Sequence, residues 1–130
     1  MTSSAGTSLL RRTVETYWAA ADARDWAAVE AALAEDVVYD LPQTRERIAG
    51  RAAFLRFNQE YPGDWRLRIV RIVAEGDQVV TWTHFTVGLE EMYGIAFFTG
   101  DAAGRITSQT DFWPESYEPP AGREHLVERY

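Results

Sequence analysis

Gly104-Arg105-Ile106-Thr107-Ser108-Gln109-Thr110-Asp111-Phe112-Trp113-Pro114 reads as the last strand of a curved sheet. It opens at a glycine after the polar turn Asp101-Ala102-Ala103 and closes at a proline, which cannot donate to a ladder. The pleat puts Thr107, Gln109, Asp111 and Trp113 on one side and Ile106, Ser108, Thr110 and Phe112 on the other. Neither side is plainly apolar, as a core strand would be. A cavity wall fits that mixture, because pockets combine aromatic surface with a few convergent polar groups. Asp111 is the carboxylate such a cavity would enclose.

Working outward, Trp65, Leu67 and Ile69 alternate with Arg66 and Arg68, and Val70 and Ile72 then continue on a shifted parity. An inserted residue near Ile69-Val70, a β-bulge that bends the strand, accounts for the slip. Glu75-Gly76-Asp77 turns the chain into a strand from Gln78 to Val87. Gly88 to Glu91 turns it again, and Met92 to Thr99 leads back toward Gly104, giving an antiparallel meander. Before residue 65 the period is helical. Leu9, Leu10, Val14, Tyr17, Trp18 and Ala21 form one stripe over residues 8–24. Asp25 can cap a second helix with stripe Trp26, Val29, Ala32 and Leu33. Val37 to Tyr39 is a short extended piece running to Pro42, Gln43 to Glu46 is a loop, and Gly50 precedes a third helix from Arg51 to Glu60. Helices followed by strands predict an α+β fold in which three N-terminal helices pack on a strongly curved antiparallel sheet and close a cone.

With 130 residues, no cysteine and a net charge of −7, the chain reads as one domain able to hold a core without disulfides. Its average field repels phosphate backbones, so nucleic acid is not an expected partner. It has no run of the roughly 20 apolar residues that a membrane helix needs. The expected organisation is a flexible lead over residues 1–7, the domain over 8–114 and a tail over 115–130, with a cytoplasmic location. His84 and His125 lie far apart in a chain without cysteine, so no metal site or cofactor is expected.

This element order resembles the NTF2-like superfamily, most closely its SnoaL-like, polyketide cyclase-related branch. The residues that carry the resemblance are Tyr17-Trp18, Asp25-Trp26, the run Ala34-Glu35-Asp36-Val37-Val38-Tyr39-Asp40-Leu41-Pro42, Gly50 before a helix, and Gly104-Arg105-Ile106 leading to Asp111-Phe112-Trp113. The resemblance implies a conical pocket. Members include ketosteroid isomerase, epoxide hydrolase and polyketide cyclases, alongside proteins that only bind or pair, so fold does not fix reaction. Against the isomerase, Tyr17 falls on the oxyanion-donating tyrosine, but Leu41 stands at the general base and Ala96 near the second donor. Against the epoxide hydrolase, Asp111 falls on the general acid and Tyr39 on a water-positioning tyrosine. Leu41 replaces an asparagine there, and Thr81, Thr83, His84 and Thr86 stand where an arginine and an aspartate would be.

The residues left to carry chemistry are Asp111, His84 and Tyr17. A carboxylate bonded to His84 would fix its tautomer and raise its basicity, while Tyr17, held by Asn58, would donate to an oxygen where charge develops. Tyr39, Leu41, Phe57, Asn58, Trp82, Phe98, Gln109 and Trp113 are the expected substrate contacts. Two readings from different classes stand. One is a cofactor-free cyclase, isomerase or dehydratase of secondary metabolism acting on a small apolar, oxygen-bearing molecule. The other is a non-catalytic binding or pairing domain whose cone is filled by side chains and whose outer sheet face, with Phe112, Phe85 and Val70, builds a homodimer. An epoxide hydrolase-like activity is a further alternative.

Overall fold

The computed structural model describes residues 2–130, with side chains from residue 9 onward. Three helices pack against one six-stranded sheet ordered β2-β1-β6-β5-β4-β3. α1 (Thr2–Ala23) starts earlier than its apolar stripe, and the lead expected over residues 1–7 lies, at Met1 and in all its side chains, outside the described residues. Leu10, Val14, Tyr17, Trp18 and Ala21 are buried from α1, as their spacing requires. Arg24, at φ 62°, ends the helix, and the Asp25 N–H returns to Ala20 O at 2.8 Å. The Asp25 side chain then accepts from the Ala28 N–H and caps α2 (Trp26–Ala32).

α2 is shorter than its stripe suggests. Leu33 belongs to β1 (Leu33–Leu41), so the short extended piece expected over Val37 to Tyr39 is a nine-residue strand. Part of the expected loop is also strand, since β2 (Glu46–Ala49) pairs antiparallel with β1. Gly50, at φ 95°, then starts α3 (Arg51–Gln59). β3 (Trp65–Glu75), β4 (Gln78–Val87), β5 (Glu90–Gly100) and β6 (Ile106–Phe112) form the meander. The β3–β4 register skips Val70, the predicted bulge.

The sheet is mixed rather than wholly antiparallel. β6 returns beside β1 and runs parallel to it, with Tyr39 opposite Gln109 and Asp40 opposite Thr110. This pair decides the site, because it brings the inner face of β1 next to the inner face of β6. A second register shift, between Thr99 and Gly100 on β5, alters the expected pleat of β6: Ile106, Gln109 and Asp111 all face inward. The inner face of the sheet and the helices enclose a core centred on Val14, Tyr17, Phe54, Val79 and Phe98. Beyond Trp113 the tail is exposed, with one short 3-10 turn at Glu124–Leu126. Among the described residues no helix is long and apolar enough to cross a membrane.

Candidate functional site

Asp111 is only 3% exposed, yet it lines an open cavity of about 290 Å³ between the sheet and helices α1 and α3. Two flanking donors hold it. Tyr39 Oη donates to Oδ2 at 2.6 Å, across the parallel pair, and Gln109 Nε2 donates to Oδ1 at 2.9 Å from two residues earlier on β6. The side chain of Trp113 adds a third donor. Burial pushes the carboxyl up from its ordinary 3.8 to about 6, and these three hydrogen bonds restrain the rise. All three donors are neutral, so the group has no salt-bridge partner. A structural ion pair would have moved the pKa the other way, downward.

Donation to Asp111 orients the Gln109 amide with Nε2 toward the carboxylate, leaving Gln109 Oε1 buried without a partner. Tyr17, from α1, shares the cavity wall. Burial raises its pKa well above 10, the Asp111 charge raises it further, and Gln109 works in the opposite direction. Tyr39 is raised well above 10 as well, first by burial and then by the Asp111 charge. Both phenols therefore remain O–H donors at any physiological pH.

Asp111, Tyr17, Tyr39, Leu41, Phe57, Asn58 and Trp113 meet in this cavity. Gln109 stands behind Asp111. Asn58 does not hold Tyr17: its Nδ2 donates to Phe54 O at 3.0 Å. Three expected site residues lie elsewhere. Phe98 is core, packed edge-on against Tyr17 and Trp18. Trp82 and His84 project from the opposite face of β4, because the inward residues of that strand are Val79, Thr81, Thr83 and Phe85. His84 Nε2 meets Glu91 Oε2 at 2.6 Å and its ring packs on Tyr93. The expected Asp111–His84 pair is therefore absent, separated by the sheet itself. His84→Ala should leave ligand affinity within about twofold of wild type in a binding titration, as for an ordinary surface substitution.

The same parity corrects Phe85, expected on the outer face. It lines the cavity, stacked on Trp65 and edge-on to Trp113. Tyr61, Trp65, Met92, Thr44 and Glu46 complete wall and mouth. Their presence was legible only in part: Tyr61 and Phe57 share the α3 stripe, but nothing local marks Glu46 or Met92 as pocket residues. The exposed stretch Gln43 to Arg47 contributes Thr44 and Glu46 to the mouth. Gln43 Oε1 accepts from the Trp113 N–H, and Thr44 Oγ1 donates to Glu46 Oε1 at 2.6 Å. Trp113 lies so close over Gly94 that a Cβ there would sit 2.5 Å from its ring. No arginine lines the cavity, so an arginine-bridged pair of carboxylates is not part of this site. Among the described residues no three His, Asp or Glu side chains converge as a metal-binding group.

Comparison with solved structures places this architecture among close likenesses. A ketosteroid isomerase-like protein from Kribbella flavida DSM 17836 is 49% identical, with a TM-score of 0.93 over 95% of this chain and 91% of that one. A polyketide cyclase-like protein from Xanthomonas campestris pv. campestris is 31% identical, with a TM-score of 0.68 over 84% and 93%. An LEH-like epoxide hydrolase from M. tuberculosis is 28% identical, with a TM-score of 0.71 over 83% and 84%. No curated protein matches the chain. The family described as the SnoaL-like domain matches residues 14–109, most of the α+β unit and both sides of the cavity, and the chain belongs to that family.

Proposed function

We propose that the chain is a small-molecule enzyme doing cofactor-free acid/base chemistry, of cyclase, isomerase or dehydratase type, on an apolar, oxygen-bearing metabolite. One observation carries this reading: Asp111 is buried, raised to about 6 and without a cationic partner, beside open volume. At neutral pH the group is mostly ionised and close enough to the solution pH to accept and return a proton. In the proposed step an Asp111 oxygen takes a proton from a substrate C–H or O–H, and the electron pair left behind moves onto the substrate oxygen. The Tyr17 hydroxyl donates to that oxygen as charge develops. Tyr39 and Gln109 fix the carboxylate rotamer. Asp111 then returns the proton at the product position.

The fold likeness to proteins named for isomerase, polyketide cyclase and epoxide hydrolase activities supports a reaction of this general kind without naming it. The non-catalytic alternative calls for a cone filled by Trp82, Phe98 and Trp113. Phe98 alone is fully in the core, and Trp82 is 40% exposed on the far side of the sheet. The test is a panel of small ketones, enones and epoxides followed by NMR in deuterated buffer. Wild type should exchange or convert at least one compound, and Asp111→Asn should not. Equal behaviour of the two proteins across the panel would remove the reading.

The outer sheet face is proposed to pair two copies of this chain. Trp82, Tyr93, Ile95 and Phe97 stand there between 39% and 46% exposed, with Val70 and Phe112 alongside. Phe97 and Phe112 meet edge to face in its middle. A glutamate at this point would be buried unpaired in the dimer. Phe97→Glu should sediment as a monomer where wild type sediments as a dimer; identical sedimentation would exclude this face.

A further inference from the structure

The charged side chains lining the cavity are both acids. Asp111 is at the floor, and Glu46 stands at the mouth, held by the Thr44 hydroxyl and opposite Leu41 across the β1–β2 pair. The chain has no lysine, and no arginine reaches the lining. Of the guanidinium groups near the mouth, Arg24 and Arg47 are committed, while Arg45, exposed just before Glu46, stays outside the lining. Arg24 stacks 3.4 Å above the Trp65 ring, and its nitrogens donate to the carbonyl oxygens of Ala21, Asp22 and Trp65. Arg47, next to Glu46 in sequence, is bound to Asp40 through two hydrogen bonds on the other side of β1. Most of the remaining wall is aromatic, and ring faces carry negative charge that attracts cations and repels anions.

We propose that this pocket sorts ligands by charge, admitting neutral and cationic apolar molecules and turning carboxylates away, with Glu46 the specificity-determining residue at the mouth. The proposal deepens the reading above and rests on it, in that it takes the cavity to bind a small molecule. The physics is one-sided. A carboxylate entering the cavity gives up its water, finds no cation in the lining to replace it, and meets the buried Asp111 charge at low effective dielectric and the more weakly acting, solvent-exposed Glu46 charge at the mouth. A hydroxyl or carbonyl loses far less and still finds the Tyr17 hydroxyl as a donor. An ammonium exchanges its water for Asp111 and the ring faces. Asp111 is needed for proton transfer, but Glu46 has no role in that step, so its charge at the mouth is free to act on selection. Substrate and product are therefore of the uncharged or amine-bearing class, and a free acid does not occupy the site.

The test uses three probes of one shape: cyclohexylmethanol, cyclohexylmethylamine and cyclohexanecarboxylate, titrated at pH 8 and followed by tryptophan fluorescence and NMR shifts. The alcohol and the amine should bind, and the carboxylate should bind at least about 30-fold more weakly than the alcohol. Glu46→Gln should narrow the gap between alcohol and carboxylate by about 3- to 10-fold, and Glu46→Arg should close or invert it. Circular dichroism of each variant establishes that it is folded, which the exposure of Glu46 leads us to expect. A carboxylate that binds within about threefold of the alcohol, or a gap that neither Glu46 variant changes, overturns charge selection while leaving the small-molecule reading in place. Failure of all three probes to bind overturns both.

Discussion

Asp111→Asn is expected to remove turnover by a factor of about 10² to 10⁴ and, at neutral pH, to make the protein more stable. The first effect follows from the loss of the one buried group that can accept a proton beside the cavity. The second comes from linkage. The folded-state pKa is raised, from 3.8 to about 6, so the folded state holds the proton more tightly than the unfolded chain does. The stabilisation belonging to the protonated group is fully present below about 3.8 and is lost as pH rises through about 6. Above that window the buried charge costs about 3 kcal/mol in full. An uncharged side chain of the same shape avoids the cost.

The local hydrogen bonding can accommodate the change. Three donors face position 111, and an amide brings its own N–H groups among them. Gln109 resolves the conflict by turning its amide, so that the buried and unpartnered Oε1 accepts from the new N–H. We therefore expect a gain of about 1–3 kcal/mol at pH 7.5, read as a melting temperature higher by roughly 3–10 °C, shrinking to nothing as pH approaches 4. The comparison must be between the two proteins at each pH. Asp22, whose pKa is lowered by its Arg66 partner, loses stabilisation as pH falls and affects both equally. A variant less stable than wild type at pH 7.5, by an amount that holds down to about pH 4 and fades only below it, would show that the carboxylate is held by its neighbours as a structural ion and would undo the acid/base assignment.

The contrast between Asp111 and His84 shows where sequence reading reaches its limit. Asp111 could be found because a lone carboxylate on a strand flanked by aromatic residues has few physical fates, and Tyr17 because a tyrosine on a helical stripe must face the core. The face of His84 turns on one residue of parity in β4, whose Val, Thr, Trp and Phe alternate without separating apolar from polar. Trp82 looked like pocket wall for the same reason, and Phe85 like outer surface. The Asp111–Tyr39 bond was also out of reach, since it depends on β6 lying parallel to β1, and no local pattern distinguishes that pairing from the antiparallel neighbours of the meander. The bulge at Val70 was readable because a broken alternation is itself a sequence signal. Helix extents were read less well. Leu33 fits the α2 stripe, yet it opens a strand, because its burial in the core satisfies either conformation.

Phe54 supports the same site from behind, and Phe54→Ala should be among the most destabilising single changes in the chain. The ring is 0% exposed and stands edge-on to Tyr17, with centroids 6.0 Å apart, and tilted against Tyr39 at 4.9 Å. Truncation removes the transfer free energy of the side chain and leaves a void that helix and sheet cannot both close on, a combination that costs about 3–5 kcal/mol. A domain of this size has about 5–15 kcal/mol in total, so urea denaturation should show a large part of its stability gone. Phe57, one turn further along α3, makes the useful comparison. It is half-buried on the cavity wall, and Phe57→Ala merely enlarges a space already open, so its cost should stay near 1–2 kcal/mol while ligand affinity changes.

The void behind Phe54 also predicts a functional effect that stability alone does not. Both tyrosines lose the surface that fixes their rings, so Tyr39 should donate to Asp111 less often and the carboxyl pKa, freed from one restraining hydrogen bond, should rise above 6. A pH–rate profile of the folded fraction should move further to higher pH for Phe54→Ala, which frees both phenols, than for Phe57→Ala, whose ring meets Tyr39 edge-on at 5.7 Å and not Tyr17. A Phe54→Ala protein within about 1 kcal/mol of wild type, with an unmoved profile, would mean that α3 does not brace the phenols and that the β1–β6 pair positions Tyr39 without it.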